Sequence, residues 1–289
     1  MFKDKFIEYI SSEKRFSEHT IKSYSSDISQ FHNYLALEFD ITNKVEDISF
    51  QLIRGWIASL LESGINARSV NRKISTLRTY FRFLLREGVL EENPILKLTP
   101  PKSKKRLPVF IEEDKIEELL NNIEFEKGFL GERNKLIIEM FYVTGIRLSE
   151  LINIKIESID FKNNLVKVLG KRNKERLIPL SLYMANRLKD FINNYHLENF
   201  LFSNLDGKKL YTKLVYRVVK KYIGRISSVN KKSPHILRHT FATHMLNNGA
   251  DINAIKELLG HANLSATQVY THNTIQKLKS VYKQAHPRA

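Results

Sequence analysis

A chain of 289 residues with 42% hydrophobic and 27% charged residues has the make-up of a globular protein and enough apolar material for two cores, which excludes fibrous and disordered classes. It contains no cysteine, which rules out a disulfide framework, thiolate metal sites and a cysteine nucleophile, and fits the cytoplasm. The net charge of +16 points to a polyanionic partner, nucleic acid before an anionic membrane surface, with a lysine-rich solvated surface as the competing explanation. The excess is uneven: residues 1–100 hold 14 Lys+Arg against 13 Asp+Glu, and residues 101–289 hold 33 against 18.

The opening MFKDKFIEYISSEKRF breaks its short apolar stretch with charges and does not read as a signal peptide. No apolar run approaches the ~20 residues that span a bilayer. Residues 1–94 read as a small bundle of about four helices. Ile21, Tyr24, Ile28, Phe31 and Tyr34 form one apolar stripe, with Ser17 or Thr20 available as its cap. A second helix, Phe50 to Leu61, carries the single Trp, Trp56, and Gly64 breaks it. In a third, Ala67 to Arg86, Val70, Ile74, Leu77, Phe81 and Leu84 share a face, while Arg68, Arg72, Lys73 and Arg78 point largely elsewhere. Prolines and basic residues over 95–108 mark a linker, in which Lys104, Lys105 and Arg106 are candidates to follow a phosphate backbone.

Residues 109–289 form the second predicted domain. Helices are expected over Glu112 to Asn121 and Glu132 to Val143, followed by a β-hairpin of Leu165–Leu169 and Arg176–Leu180 with Lys171 at its tip. Helices then resume from Leu182 to the C-terminus, interrupted at Asp206-Gly207, Ser233-Pro234 and Gly260-His261. The fold class is therefore mainly α with two domains, the second mixed α/β with a small sheet.

Within this second domain, Gly145 can end one helix and place Arg147 at the start of the next, where it can meet a phosphate or pair with Glu150 three residues on. Ser233-Pro234 reads as a cap and first helical residue, so His235 and Arg238 share a face at a helix N-terminus, and His239 falls off it. Gly260 reads as a left-handed helix end that leaves His261 on the following loop. Tyr270 follows on a short helix, one of twelve tyrosines with nothing in its own spacing to single it out.

The ordered set Arg147, Lys171, His235-x-x-Arg238, His261 and Tyr270 resembles the tyrosine recombinase and integrase family, and more narrowly the Xer recombinases. The similar stretches are TGIRLSEL, VLGKRNKERLIPL, PHILRHTFATHML, LLGHANLSATQVYTH and the terminal HPRA, running from about Lys102 to Ala289. More loosely, SEHTIKSYSSDISQFHNYL and SVNRKISTLRTYFRFLLREG look like the SAM-like, four-helix core-binding domain of that family. Arg172 stands where many relatives have glycine at the hairpin tip.

The resemblance implies an enzyme that cuts and rejoins duplex DNA through a 3′-phosphotyrosyl intermediate with Tyr270 as nucleophile. A tyrosine hydroxyl, of pKa about 10, must shed its proton as it attacks, and His235 is the better base. Arg147 and Arg238 would hold the non-bridging oxygens, Lys171 would protonate the 5′-oxygen, and His261 would donate a further hydrogen bond. Glu150 would support the site by orienting a histidine. No metal and no ATP is expected, nor any other cofactor, and the sequence has no phosphate-binding GxxxxGK[ST] loop.

The implied assembly is a tetramer on two DNA sites, of one recombinase or two related ones, with an accessory activator. The segment Thr274 to Lys283 has Ile275, Leu278 and Tyr282 at helical spacing and can pack on its own chain or on a neighbouring protomer. The HPRA ending, and the lack of a further N-terminal module, favour chromosome dimer resolution at a dif-like site over mobile-element integration. A type IB topoisomerase-like enzyme and a non-catalytic DNA-binding regulator are the remaining alternatives.

Overall fold

The computed structural model describes residues 2–42, 44–103, 109–170, 175–227, 232–260 and 272–289. The chain divides into two compact units, Met1–Arg106 and Leu107–Ala289.

The first unit is built from α1 (Lys3–Ser12), α2 (Glu18–Phe39), α3 (Phe50–Glu62) and α4 (Ala67–Arg86). Ser17 caps α2, its hydroxyl accepting from the Thr20 N–H at 3.3 Å; Ser49 and Asn66 do the same for α3 and α4. Phe6, Ile28, Phe31, Trp56, Ile74, Leu77 and Phe81 form its core. Lys73 departs from the expected exposed face: it is 4% exposed, and its ammonium donates to Asp27 Oδ1 at 2.9 Å and to Gln30. Asp27, itself buried, also pairs with Arg72 and accepts from Thr76 at 2.9 Å, so one carboxylate fastens α2 to α4. The proline-rich stretch begins as part of this unit, since Ile95 and Leu98 lie in its core and Arg78 donates to the Leu98 carbonyl at 3.0 Å.

The second unit begins with α5 (Glu113–Glu117), which runs into a π-helical turn at Glu118–Asn122, and continues with α6 (Phe129–Thr144) and α7 (Leu148–Leu151). A three-stranded antiparallel sheet follows, β1 (Ile159–Asp160), β2 (Leu165–Leu169) and β3 (Glu175–Pro179), in the order β1-β2-β3 with Leu165 opposite Pro179. β1 is too short to leave a periodic signal. Then come α8 (Leu182–Asn194), α9 (Thr212–Ile226), α10 (Pro234–Asn247), α11 (Ile252–Leu258) and α12 (His272–Ala285).

Helix α6 is the spine of this unit: Leu136, Ile137, Met140 and Phe141 are all buried, which is why its sequence shows little amphipathic contrast. Helix α10 is anchored beside it through its own polar residues. The Thr240 hydroxyl accepts from the Ile111 N–H at 3.0 Å, His244 Nε2 donates to the Ile111 carbonyl, and Tyr142 OH donates to His244 Nδ1 at 3.1 Å. At the C-terminus α12 packs on its own chain, with Leu278 and Tyr282 against Phe241, Met245 and Leu258. His286 stacks on Tyr282, donates from Nε2 to the Tyr142 carbonyl and accepts the Arg288 N–H on Nδ1 at 3.0 Å.

Candidate active site

The site assembles where three elements meet the end of α11. Helix α6 closes on Gly145, whose left-handed backbone (φ 58°) turns the chain into α7. A Cβ at this glycine would lie 2.5 Å from Phe241 Cδ1 and 2.7 Å from Leu259 Cδ2, so both the backbone and the packing demand glycine. The turn delivers Arg147 to the N-cap of α7. Glu150, three residues on, reaches back to accept the Arg147 N–H at 2.9 Å with Oε2 and the Arg147 Nη1 at 2.8 Å with Oε1. The surface pairing weighed from sequence is thus a partly sheltered one, since Glu150 is 1% exposed.

Arg238 comes from the first turn of α10. Ser233, expected to cap this helix, has an extended backbone and makes no side-chain cap; its carbonyl accepts the Ile236 N–H instead, with Pro234 at the first helical position. The Arg238 guanidinium donates to the Gly145 carbonyl and, at 2.7 Å, to the Leu259 carbonyl. Burial, and then the charges of Arg147 and Arg176, push its pKa down to about 9, which leaves it charged at neutral pH. His235, three residues earlier, is exposed at the helix start.

A third arginine was not singled out from sequence. Arg176 on β3 is 4% exposed; its Nη1 forms an ion pair with Glu150 Oε1 at 2.9 Å and its Nε donates to the Leu258 carbonyl at 3.2 Å. The signal was present in the two-residue period of the strand, which puts Arg176 on the same inward face as Ile178. An arginine on a face otherwise apolar must be buried with partners.

Three consecutive carbonyls at the end of α11, those of Leu258, Leu259 and Gly260, thus accept from Arg176, Arg238 and Arg147 respectively. These are groups the helix cannot satisfy internally. Arginine has five N–H donors, and the partners named here take two of those on Arg147 and two on Arg238, leaving donors for an oxyanion. Among the described residues, three guanidiniums gather around the one carboxylate of Glu150, an arrangement short of negative charge and suited to a phosphate.

The partners of Glu150 among the described residues are Arg147 and Arg176, where a histidine had been expected. A fully buried carboxylate beside two guanidiniums satisfies itself with the stronger charge-assisted bonds. Lys104, Lys105, Arg106, Lys171, His261 and Tyr270 lie outside the described residues. Among the described residues no group of three His, Asp or Glu could hold a metal ion, and no helix is long and apolar enough to cross a membrane.

The phage integrase family matches residues 109–277, and the N-terminal SAM-like domain of phage integrases matches residues 4–88. The chain belongs to the phage integrase family of tyrosine recombinases. The recombinase is 40% identical to tyrosine recombinase XerC of Staphylococcus epidermidis over 98% of this chain and 96% of that protein, and 38% identical to that of Anoxybacillus flavithermus over 98% and 97%. Its fold is shared with a XerH site-specific recombinase bound to its difH substrate (TM-score 0.71, 24% identity, 96% of this chain and 83% of that one). It is shared equally with a lambda integrase dimer bound to a core site (TM-score 0.71, 19% identity, 93% and 98%). The recombinase is thus a DNA strand-transferring enzyme, mainly helical, with a SAM-like first domain and a small sheet in its catalytic domain.

Proposed function

We propose that this recombinase breaks and rejoins duplex DNA at a dif-like site, in the cytoplasm, to resolve chromosome dimers. The observation that carries the reading is the convergence of Arg147, Arg238 and Arg176 on three consecutive carbonyls at the end of α11, beside the Glu150 carboxylate that pairs with Arg147 and Arg176, an arrangement with a surplus of guanidinium charge. The names of the relatives, XerC and the difH-bound XerH, support the choice of site. In this reading residues 1–94 bind the core site, 95–108 form a basic linker whose first residues pack in the first unit, and 109–289 carry catalysis.

In this reading Arg147 and Arg238 hold the non-bridging oxygens of the scissile phosphate, where their charge meets that developing in the transition state. The Tyr270 oxygen attacks phosphorus, its proton passing to His235, while the bond to the 5′-oxygen breaks and Lys171 protonates the leaving group. His261 adds a hydrogen bond to the phosphate. The product is a 3′-phosphotyrosyl link and a free 5′-hydroxyl, which conserves the phosphodiester energy for rejoining. Neither ATP nor a metal is called for in such an exchange. Lys104, Lys105 and Arg106 follow the DNA backbone, and four protomers, of this chain alone or with a related recombinase and an accessory activator, exchange strands on two sites.

Incubation with a nicked suicide duplex carrying a dif-type site tests the reading. Wild type is expected to form a protein–DNA adduct that survives boiling in detergent, and Tyr270→Phe is expected to form none. An adduct that persists in Tyr270→Phe overturns the assignment. Lys171→Ala should cleave slowly and recover on a duplex with a 5′-bridging sulfur, a better leaving group; no recovery removes the general-acid role.

A further inference from the structure

We propose that Arg176 is a positioning residue for strand cleavage, holding Arg147 through Glu150 with one edge of its guanidinium and the end of α11 through the Leu258 carbonyl with the other. The proposal rests on the reading that Arg147 and Arg238 bind the scissile phosphate.

Three observations support it. Glu150 Oε1 is shared, 2.8 Å from Arg147 Nη1 and 2.9 Å from Arg176 Nη1, so the carboxylate that orients Arg147 is itself held from β3. The Arg147 side chain is 29% exposed and Arg176's is 5%, which makes Arg176 the fixed member of the pair and Arg147 the one able to reach a ligand. The third is packing: a Cβ at Gly260 would lie 2.7 Å from Arg176 Cδ and 3.0 Å from its Nε, so the arginine stem is the floor on which the left-handed turn at Gly260 rests. The next residue in the sequence is His261.

Stability alone does not call for this arginine. Burying a guanidinium is costly, and an apolar side chain on the inward face beside Ile178 would fill the space without desolvating a charge. What a planar guanidinium adds is a fixed geometry between a carboxylate and a carbonyl. Lysine offers a single ammonium on a flexible stem, and it would keep a cation beside Glu150 without spanning both partners.

The experiment uses the full chain and the nicked dif-type duplex, with adduct formation followed at saturating protein and as a function of protein concentration. Arg176→Lys should fold and bind DNA with a half-saturating concentration within about threefold of wild type, while its adduct forms at least tenfold more slowly. Arg176→Met combined with Glu150→Gln should be no slower than the slower single variant, because both act on Arg147 by one route. A wild-type cleavage rate in Arg176→Lys, or a loss that lies wholly in DNA affinity, overturns the proposal, and multiplicative losses in the double variant overturn the route through Glu150. No adduct with the wild-type chain overturns the phosphate-binding reading and this proposal together; a wild-type adduct with an unchanged Arg176→Lys rate overturns this proposal alone.

Discussion

Replacing Glu150 by glutamine removes one negative charge and leaves the shape of the site unchanged. The carboxylate is buried, with Arg147 and Arg176 nitrogens at 2.8 and 2.9 Å. At an effective dielectric of ~20 each contact is worth roughly 6 kcal/mol of gross Coulomb attraction, most of it offset by desolvation. Losing one partner of a buried pair costs more than the pair contributes net, because the surviving charges stay buried; about 3 kcal/mol is expected for the second unit. For a unit spanning Leu107–Ala289 that corresponds to a fall of roughly 6–12 °C in its melting temperature. The assay is thermal unfolding of wild type and Glu150→Gln at neutral pH, with and without inorganic phosphate. An oxyanion on the free donors of Arg147 and Arg238 should return part of the missing countercharge, so phosphate should raise the variant's melting temperature more than the wild type's. A fall of less than about 2 °C, or an equal response to phosphate, would refute the view that Glu150 balances a cationic pocket.

Gly145→Ala forces a Cβ to within 2.5 Å of Phe241 in a left-handed backbone, and should cost about 3 kcal/mol in urea unfolding; a loss under about 1 kcal/mol would mean that the α6–α7 turn relaxes freely. Asp27→Asn leaves the buried Lys73 ammonium without its carboxylate and should lower the stability of the first unit by about 3 kcal/mol, read from amide exchange in α2 and α4. His286 is held neutral, its pKa lowered by burial to about 4 from 6.5. Between those values the unfolded chain takes up a proton that the folded chain does not, so stability present above pH 6.5 falls as the solution is acidified, by at most about 3 kcal/mol. His286→Gln, which keeps a donor and an acceptor, should flatten the pH dependence measured by urea unfolding; an unchanged slope would assign the acid sensitivity elsewhere, with His32, also lowered to about 4, as the group to examine next.

Local signals made much of the architecture legible. Hydrophobic spacing located α2, α3 and α4, and the strand pattern located β2 and β3, because each element buries one face and must repeat with its own period. Gly145 and Gly260 were readable as helix ends since both adopt positive φ, 58° and 64°. The residue order from Arg147 to Tyr270 carried the family and hence the chemistry. Burial of Lys73 was not legible, because a lysine beside an apolar stripe looks exposed until Asp27 on another helix comes to meet it. Arg176 escaped for the same reason: its role depends on a carboxylate 26 positions earlier and a carbonyl 82 positions later. The sequence by itself thus determined the family and where the main helices and the β2–β3 hairpin lie, because these are written in residue order and local spacing. Only the tertiary structure decided which buried charges balance one another, since that depends on distances between elements far apart in the chain.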